Sequence, residues 1–256
     1  MLYVDRVNYI KQMLAKNNSV TVVELSRDLG VSGETIRRDL NTLTKDDPMI
    51  VRVHGGACRV TPDADPPYEF RQISRVEEKS KIANACFSRI SEGDFLFLDS
   101  STTTLYLAKR IAASELNLTV ITNSVGVINE LRHNKNIKLI CIGGKYTDAT
   151  HSFVGSTSLI DLSNIFAGKA FISCSGIDIK FGITHNNEEE AAIRRLMMLN
   201  SKERYLLIDS NKFRRCKTHR ITTMDNVDYI YTDWTPDSEW CDFFKKNHIE
   251  LRTCKV

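Results

Sequence analysis

The segment at residues 21–43 constrains the fold more than any other part of this 256-residue chain. Thr21 and Glu24 fit a capping box, in which the threonine hydroxyl caps the amide three residues on and the glutamate reaches back. A short amphipathic helix follows and stops at Gly30, the residue type expected just past a helix end. Ser32, a second N-cap candidate, comes two residues later. The segment therefore predicts two short helices joined by a tight turn.

The second of these helices has one apolar and one polar face. Ile36, Leu40 and Leu43 recur at i, i+4 and i+7, so they share a buried side. The other side carries mostly hydrogen-bonding residues, which are able to reach base edges and phosphates. The members of that set that we predict to contact DNA are Ser32, Thr35, Arg37, Arg38, Asn41 and Lys45.

A two-stranded wing is predicted after the second helix, and a helix at residues 4–16 is predicted to pack behind the pair. Residues 50–53 and 57–60 have the pattern of short strands, and the two glycines between them allow a tight turn. Arg52, His54 and Arg59 are predicted on or near the tip, in reach of a DNA groove next to the one that the helix enters. Helix-pair spacing alone is also typical of ordinary small helical domains with a surface hairpin.

Composition sets the class of protein. At 256 residues with 42% hydrophobic content, the chain can fold as two domains with real cores. Apolar runs stay well below the roughly 18 residues of a membrane span, and no basic-then-apolar leader is present, so we expect a cytoplasmic protein. The seven cysteines include no Cys-x-x-Cys pair, which predicts reduced thiols rather than a zinc site. Cys86, Cys141 and Cys174 lie in apolar segments and are expected in the core.

The net charge of +3 is too small to attract DNA by a general basic field. Attraction must therefore come from local placement of the arginines and lysines named above. A chain with one recognition helix would bind weakly by itself, so we expect a homo-oligomer, a dimer or a tetramer, that reads two half-sites.

Residues 61–68 contain three of the five prolines and predict a stiff, extended connection. We therefore expect a winged helix-turn-helix domain at residues 1–60, a proline-rich linker at 61–72 and a second domain at 73–256. An ordinary surface loop would place the boundary at the same point.

The second part alternates short apolar runs with helical stretches, which predicts an α/β fold with a mostly parallel sheet. Strands are expected at residues 95–98, 118–121, 137–142, 170–172, 205–208 and 229–231. In such sheets ligands bind at the carboxyl ends of the strands.

The first strand end has the strongest binding signal. Asp99 is followed by five consecutive hydroxyl residues and then by a helix. Hydroxyls and free amides at a helix N-terminus form an anion-binding cradle, the name used below for residues 99–104. Simple helix capping is the alternative explanation, since Ser and Thr cap helices in every fold.

Other strand ends add polar and glycine residues to the same rim. Asp99 and Asp178 could accept hydrogen bonds from sugar hydroxyls, and Lys212 could meet a phosphate. Each of these residues by itself is more typical of a turn. The predicted effector-binding residues are Asp99, Ser100, Ser101, Thr102, Thr103, Asn123, Gly143, Gly144, Asp178 and Lys212.

These motifs together resemble the DeoR family of bacterial transcription regulators. The N-terminal resemblance is carried by VSGETIRRDL at residues 31–40 and VRVHGGA at 51–57. In the second part it is carried by LDSSTT at 98–103, VITNS at 120–124, Gly143-Gly144, SGID at 175–178 and DSNK at 209–212. The resemblance implies a sensor domain similar to ribose-5-phosphate isomerase. One departure is Ser101, where the family usually has glycine; a Cβ there tightens the approach to a phosphate.

The family resemblance implies a regulator, in most cases a repressor of a carbohydrate operon, that releases double-stranded operator DNA when a phosphorylated sugar binds. One alternative is a sugar-phosphate isomerase with a DNA-binding appendage, although no acid–base pair is evident. Another is a constitutive DNA-binding protein with a purely structural second domain. No nucleotide-binding glycine motif or metal-ligand spacing is present, so we expect no catalytic residue, cofactor or metal.

Overall fold

The computed structural model describes residues 1–17, 19–47, 49–53, 55–59 and 65–254, with Val53 described by its backbone only. Close contacts divide the chain into Met1–Arg75 and Val76–Val256, called here the first and second units. The elements of the first unit are α1 (Tyr3–Asn17), β1 (Ser19–Thr21), α2 (Val22–Leu29), α3 (Gly33–Asp46), β2 (Ile50–Val53), β3 (Gly56–Arg59) and α4 (Tyr68–Ile73).

The predicted helix pair is confirmed together with its caps. The hydroxyl of Thr21 accepts from the amide of Glu24 at 3.1 Å, and the Glu24 carboxylate accepts from the amide of Thr21 at 3.2 Å. Gly30 ends α2 in the left-handed conformation, and Ser32 caps α3. The apolar face of α3 is buried against α1 and α2. The core that the three helices share includes Ile10, Leu14, Leu25, Ile36, Leu40 and Leu43.

The wing is one strand larger than predicted. β1 pairs antiparallel with β3, which makes a three-stranded sheet in the order β1-β3-β2. A Cβ on Gly56 would lie 2.0 Å from the carbonyl oxygen of Val20, so this position must be glycine for β1 to approach. The sequence pattern missed β1 because three residues are too few to show alternation.

A helix occupies the end of the segment that was predicted as linker. α4 begins at Tyr68, directly after the two prolines, and buries Tyr68 and Phe70. Phe70 and Ile73 reach the wing turn, where they lie 3.1 Å and 3.8 Å from the Cβ positions of Gly56 and Gly55. Residues 61–64 lie outside the described residues.

The second unit is an α/β fold with helices on both faces of a sheet. Among the described residues, no helix is both long and apolar enough to cross a membrane. The helices are α5 (Val76–Phe87), α6 (Thr102–Ala112), α7 (Val125–Leu131), α8 (Ser156–Ser163), α9 (Glu188–Leu199) and α10 (Ser238–Lys246). The strands are β4 (Phe95–Leu98), β5 (Leu118–Thr122), β6 (Ile137–Cys141), β7 (Lys145–Thr147), β8 (Ser152–Val154), β9 (Ala167–Ile172), β10 (Gly176–Asp178), β11 (Gly182–His185), β12 (Ser201–Leu207), β13 (His219–Thr222), β14 (Tyr229–Thr232) and β15 (Glu250–Thr253).

Seven parallel strands form the main sheet in the order β15-β14-β12-β9-β4-β5-β6. The chain moves outward from β4 to β5 and β6, then returns to β9 on the other side of β4 and moves outward again. The strand order therefore reverses between β4 and β9, which is where open α/β sheets bind their ligands. Helices α5, α6 and α7 cover one face of the sheet, and α8, α9 and α10 cover the other.

All six strands predicted for the second unit are present, and six further short ones were missed. β7 and β8 form a hairpin, β10, β11 and β13 form a small antiparallel sheet, and β15 extends one edge of the main sheet. The prediction for Cys141 was wrong. β6 is the other edge strand, so the end of that strand has one open side, and Cys141 is exposed while Cys86 and Cys174 are buried.

Candidate functional site

The polar face of α3 is open to solvent. Arg37, Arg38, Asn41 and Lys45 are exposed, and Thr35 is half-buried. Ser32 is exposed as well, but its hydroxyl lies 2.9 Å from that of Thr35, and the two order the helix start. Arg37 forms a 3.4 Å ion pair with Glu34 one turn earlier on the helix. The structure thus presents a row of donors on one helix, the arrangement that fits a DNA major groove.

Arg52 is a wing residue that interacts electrostatically with the recognition helix. Its guanidinium donates to the carbonyl oxygen of Gly56 at 2.8 Å and so braces the hairpin. Partial burial, followed by the nearby positive charge of Arg37, lowers the pKa of Arg52. Two guanidinium groups carry like charge and repel each other, and an approaching phosphate would relieve that repulsion.

The predicted position of Arg59 was wrong. In the wing register Val53 pairs with Gly56 and Ile50 pairs with Arg59. Arg59 therefore lies three residues from the tip, about 10 Å along the strand. It is exposed at the base of the hairpin, and its contact with DNA stays a prediction. His54, the remaining wing prediction, lies outside the described residues.

A buried ion pair fixes the orientation of α3. Asp39 is 2% exposed, and its two oxygens accept from Nε and Nη2 of Arg6 at 2.6 Å and 3.1 Å. Arg6 belongs to α1, so the fork joins the first helix to the middle of the recognition helix. The Asp39 carboxylate also raises the pKa of Arg6. Asp39 in the RRDL motif is therefore a positioning residue, in contrast to its exposed arginine neighbours.

Replacing Asp39 with alanine should loosen the first unit and leave the second unit unchanged. The change strands the Arg6 guanidinium without its bidentate partner. In hydrogen-exchange mass spectrometry, peptides from α1 and α3 should exchange about tenfold faster. Both tryptophans lie in the second unit, so the fluorescence transition in urea should not move. Equal acceleration in peptides from both units would contradict the assignment.

The cradle joins the end of β4 to the start of α6. Ser101 has an ordinary φ of −74° and is the N-cap, with its hydroxyl accepting from the amide of Thr104 at 3.1 Å. The serine that replaces the family glycine thus supplies the helix cap. Thr102 and Thr103 occupy the first two helical positions, whose amides have no carbonyl partner within a helix. These two residues keep the chemistry that was predicted for anion binding.

Asp99 has a different role from the one predicted. It is fully buried, and its two oxygens accept four hydrogen bonds within the protein. Oδ1 accepts from the Ser101 amide at 3.0 Å and the Thr104 hydroxyl at 2.6 Å. Oδ2 accepts from the Ser173 amide at 3.0 Å and from Nε of Arg194 at 2.7 Å. The carboxylate therefore shapes the cradle and is already occupied where a sugar hydroxyl was expected to donate.

Asp99, Glu190 and Arg194 form a buried triad at the point where the strand order reverses. Asp99 follows β4, Ser173 follows β9, and Arg194 reaches both from α9. Arg194 also donates to Glu190, and its Nη2 donates to the Ser100 hydroxyl at 3.1 Å. Burial opposes the charge on Arg194, but Asp99 and Glu190 hold its pKa above the usual value.

Glu190 connects the triad to the β7–β8 hairpin. Its oxygens accept from the hydroxyls of Ser100 at 2.8 Å and Thr150 at 2.7 Å, and also from that of Ser152. Burial acts to raise the pKa of Glu190, yet Arg194, His185 and the hydroxyls of Ser152 and Thr150 hold it below the usual range. A fully buried carboxylate thus stays ionised beside the cradle.

Asn123 lies next to Asp99, because Leu98 and Thr122 are paired neighbours in the sheet. Its Nδ2 donates to the carbonyl oxygen of Phe153 in β8 at 2.8 Å, which fixes the orientation of the amide. The buried Oδ1 then has no hydrogen-bond donor among the described residues. An orphaned acceptor at a strand end is a position where a ligand hydroxyl could donate.

The two predicted glycines after β6 differ in their surroundings. A Cβ on Gly143 would meet no atom within 4 Å, so its backbone faces open space. A Cβ on Gly144 would lie 2.1 Å from the Ser158 hydroxyl and 2.7 Å from the carbonyl oxygen of Val154. Gly144 is therefore required for packing of the β7–β8 hairpin and α8, and Gly143 is the one that leaves room for a ligand.

Asp178 and Lys212 are not joined to the cradle by any hydrogen bond or ion pair among the described residues. Asp178 Oδ1 accepts from the amides of Lys180 and Phe181 at 2.8 Å and 3.0 Å, so the carboxylate closes the β10–β11 turn. Lys212 is half-buried in the short helical turn Ser210–Lys212 after β12. Its place at a strand end agrees with the prediction, but its contact with a ligand stays a prediction.

Comparison with known families gives two matches that together span most of the chain. A DeoR-like helix-turn-helix domain matches residues 6–63, and a DeoR C-terminal sensor domain matches residues 74–234.

Similar full-length proteins have names that describe regulators. The HTH-type transcriptional regulator IolR of Bacillus subtilis is 33% identical over 96% of this chain and 97% of its own length. The glycerol-3-phosphate regulon repressor of Escherichia coli is 29% identical over 99% of this chain and all of its own. Among solved structures, ribose 5-phosphate isomerase A from Methanocaldococcus jannaschii covers 55% of both chains with a TM-score of 0.41 at 14% identity.

Proposed function

The chain belongs to the DeoR family of transcriptional regulators, and from this premise we propose that it represses a carbohydrate-metabolism operon until a phosphorylated sugar binds its second unit. It is a DNA-binding regulator with a sensor domain. The names of its relatives describe regulators rather than enzymes, and one of them is the glycerol-3-phosphate regulon repressor. We place it in the cytoplasm, where bacterial operator DNA lies.

The cradle at the reversal of strand order is the observation that carries the effector proposal. It combines helix-start amides that have no carbonyl partner within a helix with the hydroxyls of Thr102 and Thr103. Amides and hydroxyls at a helix N-terminus favour phosphate oxygens. The hydroxyl-rich cradle also argues against a purely structural second unit.

Among the described residues, three carboxylates at or beside the strand ends are not free to serve as the base that the isomerase alternative needs. Sugar isomerisation needs a base within hydrogen-bond reach of a carbon acid. The carboxylates of Asp99 and Glu190 are buried and bonded to protein donors, and that of Asp178 closes a turn. The site is therefore better suited to binding a sugar phosphate than to converting it.

Regulation requires that the effector bind one arrangement of the oligomer better than another. We propose that a homo-oligomer places two recognition helices on successive half-sites, and that effector binding changes their separation about the proline-rich linker. One recognition helix per chain supports this requirement, because a single helix gives too little affinity and specificity.

An operator titration tests the proposal. A DNA site obtained by selection from random sequences should bind the protein, and a panel of phosphorylated sugars should include one that weakens binding about tenfold or more. Unphosphorylated sugars should have no effect. The variant Thr102→Val with Thr103→Val keeps side-chain shape and should bind the same DNA without responding to the effector. If no phosphorylated sugar of the panel alters DNA affinity, the sensing of phosphorylated sugars is ruled out. If the valine variant responds as the wild type does, the effector does not bind at Thr102 and Thr103.

A further inference from the structure

The first turn of α9 holds the β7–β8 hairpin through two adjacent glutamates. Glu190 accepts from Thr150 and Ser152 beside and within β8, deep in the protein. Glu189 accepts from the ammonium group of Lys145, the first residue of β7, with Nζ 2.8 Å and 2.7 Å from its two oxygens. Glu190 therefore makes a buried attachment through hydroxyl donors, and Glu189 makes an ion pair near the surface.

The Lys145–Glu189 pair adjoins a residue that contacts the cradle. Glu190, the next residue in the chain, accepts directly from the cradle hydroxyl of Ser100 at 2.8 Å. Gly155 lies between the partners of the pair, with its Cβ position 3.7 Å from Glu189 Oε1 and 3.8 Å from Cβ of Lys145. A lysine side chain is long and flexible, so rotation about its torsions carries the ammonium group over several ångströms without moving β7.

Breaking the Lys145–Glu189 ion pair costs little free energy. The side chains of Lys145 and Glu189 are 64% and 37% exposed, and ion pairs at such positions contribute little to stability. By contrast, the triad beside the cradle is buried, and its formal charges sum to −1, from Asp99, Glu190 and Arg194. A phosphate bound there needs a positive charge that the triad does not supply.

We propose that Lys145 binds the phosphate of the effector and that Glu189 pairs with this lysine when no effector is bound. The inference rests on the proposed function and names the cation of that site, which was predicted to be Lys212. Exchange of one anion for another keeps Lys145 paired in both states. Because Lys145 opens β7, effector binding would also release one of the two attachments of the hairpin.

The orphaned oxygen of Asn123 narrows the class of effector. Its Oδ1 is buried and accepts only from a donor, which a phosphate dianion does not provide but a sugar or polyol hydroxyl does. The same strand end therefore favours a hydroxylated phosphate monoester over inorganic phosphate.

Calorimetric titration of the full-length protein with inorganic phosphate and with sn-glycerol 3-phosphate tests the role of Lys145. Lys145→Gln should weaken binding of both probes about tenfold or more, since a charge-assisted hydrogen bond is lost. Glu189→Gln should tighten binding up to about fivefold, because the competing anion is removed. The double variant should match Lys145→Gln, because without the lysine the glutamate has nothing to withhold. Opposite effects from two partners of one ion pair are not expected of a structural contact.

Matched controls separate this exchange from general electrostatics. Glu188→Gln removes the same charge one residue earlier, and Lys138→Gln removes an exposed lysine from β6; both should leave affinity unchanged. Tightening by Glu188→Gln equal to that by Glu189→Gln would overturn the exchange. So would retained affinity in Lys145→Gln, or a loss in Lys212→Gln alone. If the wild-type protein binds neither probe at tens of millimolar, the proposed effector class is overturned as well. This outcome distinguishes failure of the proposed function from failure of the Lys145 exchange alone.

Discussion

Replacing Arg194 with methionine should lower the free energy of unfolding of the second unit by about 3–5 kcal/mol. The methionine fills similar space but leaves Asp99 and Glu190 buried without a positive partner. Asp99 would also lose the donor that links it to α9, so the cradle and the strand end after β9 would lose a common anchor. We therefore expect the largest stability effect in the second unit from this one side chain.

Urea titration followed by tryptophan fluorescence measures this effect. Trp234 and Trp240 are the only two tryptophans of the chain, and both lie in the second unit, so the signal excludes the first unit. Arg204→Met is a matched control, because Arg204 pairs with Asp228 at 2.9 Å in a partly exposed position. Its expected effect is at most about 1 kcal/mol. Equal losses in the two variants would mean that burial of the triad contributes nothing.

The pH dependence gives a second signature of the triad. Although burial acts to raise it, the folded-state pKa of Glu190 is held below the usual value by Arg194, His185 and two hydroxyls. Glu190 therefore stabilises the wild type above its unfolded pKa of about 4.3, and this contribution is lost as the pH falls through the folded value. Without Arg194, burial should raise that pKa, and protonation should relieve the stranded charge. The stability gap between variant and wild type should thus narrow from about pH 7.5 to about pH 5.

Local signals account for what could be predicted. The capping box at Thr21, the helix end at Gly30 and the apolar face of α3 depend on residues within a few positions of each other, and all were placed correctly. The hydroxyl run after β4 was readable for the same reason. Arg59 was misplaced because a hairpin register depends on the turn between its strands, and one residue of shift moves every side chain.

The triad was missed because its contacts are far apart in the chain. Asp99 and Arg194 are 95 residues apart and meet only because β4 and β9 are neighbours across the reversal of strand order. One local sign was present: Glu190 and Arg194 have the i, i+4 spacing of an ion pair on one helix face. The apolar residues around them, Ala191 and Ile193, indicated that this face is buried. A pair of opposite charges on the buried face of a helix was therefore a sign from which a buried ion pair could have been predicted.

Replacing Arg38 with alanine should remove most of the operator affinity. Arg38 is exposed in the middle of the polar face of α3, whereas its neighbour Arg37 is paired with Glu34 and lies near Arg52. A contact from such an arginine to a base or phosphate contributes about 1–3 kcal/mol. In the proposed homo-oligomer this contact is made at both half-sites, so the expected loss is about 2–6 kcal/mol, at least thirtyfold in affinity. Mobility-shift titration of the selected operator measures it.

The control for Arg38 removes the same charge from a helix that packs behind the recognition helix. Lys11 is exposed on α1, and Lys11→Ala should leave operator affinity within about threefold of wild type. If Arg38 binds a phosphate, its variant should also show a weaker salt dependence; if it reads a base, the salt dependence should persist while discrimination between sequences falls. Equal losses of affinity in both variants would mean that Arg38 attracts DNA only through the overall positive charge of the protein. Such a result would conflict with the small net charge of +3.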